Sequence, residues 1–285
     1  VSQPSVPPAP QPEPVPEPGP VPSAERLPGL LPGAGAPMTR RFIGWEIVIV
    51  LALSLGRSGV NALINLIDLA TRAPISQGQA SLNGSASARP WIDLAYQLSG
   101  LFFSLAPVAL VLWLLWRWPG GNPFRRLGLD LKHPWRDAWQ GTALFLVIGA
   151  GTLGVYAAGR ALGITMSIST SGLGEHWWTV PILLLAALRN GLLEEVIVIG
   201  YLFERIKTLG WNTWAILLSA AVLRGSYHLY QGIGPFIGNA LMGLVFGWFY
   251  LKTKRVAPLV IAHFLLDAVG FVGYPLLASA FGYGS

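Results

Sequence analysis

From residue 42 onward the apolar residues come in long runs, not in the alternation of a half-buried strand or the single stripe of a soluble helix. Seven runs stand out, at about 42–66, 94–116, 138–162, 179–203, 212–230, 234–251 and 256–282. Each is long enough for a helix across roughly 30 Å of hydrocarbon, with tilt or a re-entrant break allowed. An outer-membrane barrel would instead show strictly alternating segments of about 10 residues. The expected fold is therefore all-α: a polytopic transmembrane helix bundle of about seven spans.

The chain ahead of these runs differs in kind. Residues 1–37 hold 13 of the 23 prolines and almost no aromatic or β-branched residues. Such a tract buries too little surface to offset its ordering entropy. It is expected to be a disordered, Pro-rich cytoplasmic tail, a spacer before an integral membrane helical domain at 38–285. It lacks the basic start, short apolar region and small-residue cleavage site of a signal peptide. Met38, followed by Thr39-Arg40-Arg41, is a candidate natural start.

Composition strengthens the membrane reading, since only 11% of residues are charged and 53% are hydrophobic, against about 25% charged in soluble domains. The absence of cysteine excludes disulfides, thiolate metal sites and a cysteine nucleophile. A net charge of +6 raises the question of nucleic acid, and the placement of the cations answers it. Thirteen of the nineteen fall in the tail end and in alternate loops, around Arg40, Arg41, Arg117–Arg136, Arg205–Lys207 and Lys252–Arg255. Only Arg72, Arg89 and Arg160 fall in the opposite loops. This is the positive-inside pattern. It predicts a plasma-membrane protein with a cytoplasmic N-terminus, a C-terminus outside, and no nucleic-acid partner.

Three of the later runs carry ionisable groups at bilayer depth, where each costs at least about 2.5 kcal/mol. The fourth run holds Arg189, Glu194 and Glu195, the fifth Arg224 and His228, and the seventh His263 and Asp267. Arg224 and His228 are four apart, as are His263 and Asp267, so each pair shares a helix face. Glu194 and Glu195 are adjacent, so one is expected to meet the histidines while the other bonds an arginine or the backbone. Glu46 and Arg57, in the first run, form no motif. Glu46 is expected to snorkel near the cytoplasmic end and Arg57 to pair within the bundle. Gly243-x-x-x-Gly247 and Gly159-x-x-x-Gly163 predict close helix packing.

These motifs, in this order, resemble the CPBP (or Abi) family, which includes the eukaryotic CAAX prenyl endopeptidase. That family shows Glu-Glu-x-x-x-Arg, Phe-x-x-x-His and His-x-x-x-Asn/Asp on successive membrane helices. Here Glu194 and Glu195 match the first motif, His228 the second, and His263 with Asp267 the third, over about residues 180–282. Two positions depart: Ile199 stands where the family arginine is expected, and Arg224 where the phenylalanine is. One helix has lost a cation and its neighbour has gained one, so Arg224 is expected to supply the charge missing at Ile199.

The resemblance implies an intramembrane endopeptidase acting on a membrane-associated protein or peptide. Glu194 would be the base that deprotonates water, His228 would share that water, and His263 would polarise the scissile carbonyl. Asp267 would orient His263, while Glu195, Arg224 and Arg189 complete the cluster. A zinc version would use Glu194, His228 and His263. Tyr227, Tyr230 and Gln231 are candidates for shaping a substrate groove. Two other readings stay open at this point, a proton-coupled transporter and a catalytically inactive membrane scaffold, the latter favoured by Ile199.

Overall fold

The computed structural model describes residues 39–117, 121–169 and 172–273. The Pro-rich tail and the end of the seventh run, from residue 274, lie outside the described residues.

Every apolar run is helical where it is described. The first run is two helices, α1 (Arg40–Ala52) and α2 (Leu55–Arg72), bent by 58° at Leu53–Ser54. Thr39 opens α1 by accepting from the Phe42 amide, an N-cap contact. At the bend the Ser54 hydroxyl bonds back to the Val50 carbonyl, in competition with the backbone ladder. The second run is also two segments, α3 (Pro90–Ser104) and α4 (Ala106–Arg117). A short α5 (Pro123–Arg126) precedes the 28-residue α6 (Pro134–Ala161). Pro stands at the first turn of α3, α5 and α6, where its missing N–H costs nothing.

The fourth run starts as α7 (Thr179–Glu194), widens into a π-helical segment at Glu195–Tyr201, and ends as α8 (Leu202–Thr208). Then come α9 (Thr213–Ser226), capped by Asn212, α10 (Ile233–Thr253) and α11 (Ala257–Ala268), which runs on into a second π segment, Val269–Gly273.

By length and composition three helical stretches can cross a membrane, 90–117, 134–161 and 233–253, with the bent α1–α2 pair as a fourth. The remaining runs are shorter or are interrupted by charge. The helical stretch 179–208 is long enough but carries Arg189, Glu194 and Glu195 at its centre. Outward-facing Trp91, Phe102, Phe103, Trp116, Trp139 and Leu153 are all more than 60% exposed. So much apolar surface is a lipid-facing exterior.

The bundle interior is built around the π segment, whose seven residues are all buried. The principal pairings are α9 with α10 and α11 with both α6 and α7. Gly243 and Gly247 bring α10 onto α9, as expected: a Cβ on Gly243 would lie 3.2 Å from the Ala221 Cα, and one on Gly247 2.7 Å from Leu217. The second spacing works differently. Gly159 packs against Thr165 and Gly234, but Gly163 follows the end of α6 with φ +72° and reverses the chain.

The loops gather into two sets. On one side Arg126 pairs with Glu204, the Val256 amide donates to the Leu127 carbonyl, and Arg40 lies beside Gly210. On the other, β1 (Gln79–Ser81) and β2 (Ser167–Ser169) form a parallel pair, a small exception to the all-helical expectation. Arg160 caps the Ser76 carbonyl there, and Thr165 bridges to Gly232. The first set holds the cation-rich loops and the second the cation-poor ones.

Two expectations for the first run need correction. Glu46 does not snorkel: it is buried and accepts from the Tyr201 hydroxyl at 2.9 Å and Arg205 Nε at 2.6 Å. Arg57 does not pair inside the bundle: it is exposed and forms no salt bridge among the described residues.

Candidate active site

The ionisable residues of α7, α9 and α11 converge, and Arg224 lies at their centre. Its Nη1 donates to Glu195 Oε1 at 2.7 Å, and its Nη2 lies 3.3 Å from Glu194 Oε2 and 3.1 Å from His263 Nδ1. The guanidinium is fully buried and covers the ring of Phe246 at 5.4 Å. Gly243, one turn before Phe246 on α10, leaves room for the Arg224 stem, since a Cβ there would meet Arg224 Cδ at 3.2 Å.

Both glutamates therefore reach one cation, instead of dividing between histidines and arginine. The reason is local. Glu195 begins the π segment, whose wider turn brings successive side chains closer around the axis than an α-helix does. Glu195 takes both expected jobs at once: its Oε1 meets Arg224 and also His263 Nδ1, each at 2.7 Å. A ring nitrogen carries only one proton. The shorter contact assigns that proton to the bond from His263 Nδ1 to Glu195, leaving Nε2 to face away from this pair.

Glu194 is held differently. The Tyr227 hydroxyl donates to its Oε2 at 2.7 Å, and no hydrogen bond from the described residues reaches its Oε1. Its side chain keeps 9% exposure against 0% for Glu195. Tyr227 owes its position to the end of α9, where the helix stops and a short 3₁₀ turn, Leu229–Gln231, takes over. The same turn places His228, whose ring lies 5.0 Å from that of Tyr227. His228 interacts electrostatically with Glu194, Arg224 and His263. Its Nδ1 is 3.4 Å from Gln231 Nε2, while its Nε2 is buried with no hydrogen-bond partner among the described residues. Gln231 is fixed in turn by donating to the Tyr230 hydroxyl at 2.7 Å.

Asp267 lies at the edge of the cluster. Its Oδ2 is 3.7 Å from His263 Nε2, beyond a hydrogen bond, and accepts instead from Asn190 Nδ2 at 2.7 Å. Arg189 holds the other end of that amide, with Nε and Nη2 on Asn190 Oδ1 at 3.1 and 2.7 Å. The carboxylate bonded to His263 is thus Glu195. Asp267 and Arg189 belong to a relay through Asn190, a residue that no motif singled out.

The expected zinc set does not form as such. Glu194, Glu195 and His263 bring ligand atoms within 4.8 Å of one another, and His228 is not among them. One oxygen of each carboxylate and one nitrogen of the histidine are already engaged. Arg224 binds both carboxylates, and His263 Nδ1 is used by Glu195. A divalent cation held by these three residues would also face the Arg224 guanidinium, whose charge opposes it.

Ile199, where the family arginine was expected, is fully buried in the apolar core. The cation that meets both glutamates is Arg224, carried by α9.

Residues 176–269 match the family model described as type II CAAX prenyl endopeptidase Rce1-like. No curated protein and no solved structure matches the chain. The matched stretch contains Glu194, Glu195, Arg224, His228, His263 and Asp267, and over it the chain is similar to the CPBP, or CAAX-protease, family of membrane proteins.

Proposed function

We propose that the chain is an intramembrane endopeptidase that hydrolyses a peptide bond of a membrane-associated protein or peptide, with Glu194 as general base. The observation that carries the assignment is the contrast between the two glutamates. Glu195 Oε1 is taken by Arg224 and His263, and its Oε2 is sealed from solvent and unbonded, whereas Glu194 keeps 9% exposure and an Oε1 that no hydrogen bond reaches among the described residues. His228 Nε2, buried and unbonded, offers a second acceptor for the same water.

The chemistry follows from these positions. Glu194 takes a proton from water as the oxygen attacks the scissile carbonyl carbon. His263, doubly protonated and balanced by Glu195, donates from Nε2 to the developing oxyanion, a stabilisation strong in a site closed to bulk water. As the C–N bond breaks, the proton held by Glu194 passes to the leaving amine. Tyr227 keeps the Glu194 carboxylate in register, and Arg224 balances the charge of both glutamates. Because Arg224 fills the place of a cation, the reaction is assigned to a metal-independent site. Activity that withstands exhaustive chelation would support this, and activity restored only by added zinc would refute it.

In the same reading the apolar runs make seven spans in the plasma membrane. The cation-rich loops around Arg126, Lys207 and Lys254 lie in the cytoplasm with the N-terminus, and the C-terminus lies outside. The gathering of those loops on one side supports this arrangement.

The test compares membranes holding wild type, Glu194→Ala or His228→Ala at equal expression, by proteomics of fragments that vanish or accumulate. Loss of the same fragments in both variants is expected and names the substrate. Identical fragments in all three, with both variants folded, would move the assignment to a scaffold or proton relay.

A further inference from the structure

Away from the cluster, a cavity of about 490 Å³ opens where α5, α8, α9 and the end of α10 meet. Its charged lining is Arg126, Glu204, Lys207 and Lys254. Arg126 Nε pairs with Glu204, which leaves two lysines without a balancing carboxylate in the lining. Arg126 Nη1 is buried there and has no hydrogen-bond partner. Burial first, and then the neighbouring charge of Lys207, push the Lys254 ammonium below the usual lysine range. The cavity is thus an electropositive space whose charged residues come from three helical segments far apart in sequence.

Two further features locate and qualify it. Trp211 and Trp214, at the start of the same α9 that contributes Ile216 to the lining, are 50% and 71% exposed, and exposed tryptophans mark headgroup depth in membrane proteins. Lys254 ends α10 in the left-handed conformation, φ 56° and ψ 32°, where glycine is the ordinary residue. It is the one non-glycine residue with positive φ among the described residues. A lysine kept where glycine would be less strained points to use of its side chain.

We propose that this cavity binds the headgroup of an anionic phospholipid, with the phosphate between Lys207, Lys254 and Arg126 and the acyl chains along Phe203, Ile216 and Leu251. The apolar side of the lining favours a lipid over a free anion, and basic pockets between membrane helices suit such headgroups.

The test uses the full chain in nanodiscs of equal phosphatidylglycerol and phosphatidylcholine, reading by native mass spectrometry which lipid stays bound. Wild type is expected to retain phosphatidylglycerol selectively, and each lysine removed, by Lys207→Gln or Lys254→Gly, to weaken that preference about fivefold. Lys254→Gly also relieves the backbone strain, so the variant stays folded. Unchanged lipid selectivity with a raised melting temperature would overturn the proposal. Lys252→Gln removes an exposed cation from the same turn, outside the lining, and is expected to leave selectivity intact; an equal loss there would show surface charge alone and also overturn it. Inorganic phosphate competing as well as a soluble short-chain phosphatidylglycerol would assign the cavity to a free anion and refute the lipid.

Discussion

Arg224 on α9 and Glu195 at the start of the π segment form an ion pair at 2.7 Å, with neither side chain exposed to solvent. The pair joins two apolar helices through their most costly residues, and Ile199 shows where the cation would otherwise have stood. Removing one partner of a buried pair leaves the other charge stranded, at a cost of about 3–5 kcal/mol. Arg224→Phe is therefore expected to lower thermal stability by that order and to abolish activity. Ile199→Arg, added to it, restores the family arrangement and should recover much of both. A double variant no more stable or active than Arg224→Phe alone would show that the two positions are not exchanging one charge.

The two glutamates should separate when each is replaced by glutamine. Glu194→Gln removes the base but keeps an amide that still accepts from Tyr227. It is expected to lose about 10²–10⁴-fold in kcat with little change in melting temperature. Glu195→Gln weakens contacts to both Arg224 and His263 and should lower stability and activity together. Equal destabilisation by both variants would contradict the division of roles.

Tyr227 offers a finer test, because its hydroxyl donates to Glu194 at 2.7 Å while its ring packs beside His228. Tyr227→Phe keeps the ring and removes a hydrogen bond to a charged group, worth about 1.5–3 kcal/mol. If that bond holds the base in register, kcat falls about tenfold or more while KM stays near the wild-type value. A change confined to KM would make Tyr227 part of the substrate groove, the role its sequence position suggested.

Much of this site was legible in the sequence because helical spacing and chain order are local properties. Glu194, Glu195, Arg224, His228, His263 and Asp267 were each identifiable as intramembrane ionisable groups, and two mismatched motif positions pointed to Arg224 as the cation that meets a glutamate. What stayed hidden depends on non-local geometry. Asn190 looks like an ordinary polar residue until α11 brings Asp267 within 2.7 Å of it. Glu46 was misread for the same reason: Tyr201 and Arg205, over 150 residues away, reach it only through packing of α1 on the fourth run. The convergence of the glutamates required the π segment, which no residue pattern in the chain announces. The 58° bend in the first run is equally silent, because Ser54 is compatible with a continuous helix.

The cation-rich side supplies a prediction that depends on acid stability alone. Arg255 binds Asp137 in a two-pronged contact at 2.6 and 2.7 Å and Asp130 at 2.9 Å, tying the loop before α6 to the start of α11. Gly128 makes this approach feasible: it has φ +60°, and a Cβ there would sit 2.6 Å from the Arg255 Cα. The hydrogen bonds it donates to Asp137, more than the opposing burial, keep the Arg255 guanidinium charged, its pKa raised. Burial pushes the Asp130 carboxyl upward, but the hydrogen bond and charge of Arg255, with Lys132, outweigh it and hold the group below its ordinary value of 3.8. A carboxylate with a lowered folded pKa stabilises the fold fully above the unfolded value and loses that contribution as pH falls through the folded one. The melting temperature should therefore be insensitive to this contact from neutral pH down to about 5 and fall below about 4. Asp130→Asn is expected to be less stable at neutral pH and to lose less on acidification, so that the two melting curves draw together in acid. If the variant lost as much stability as wild type between pH 5 and 3, Asp130 would not be the group through which acid acts on this side of the bundle.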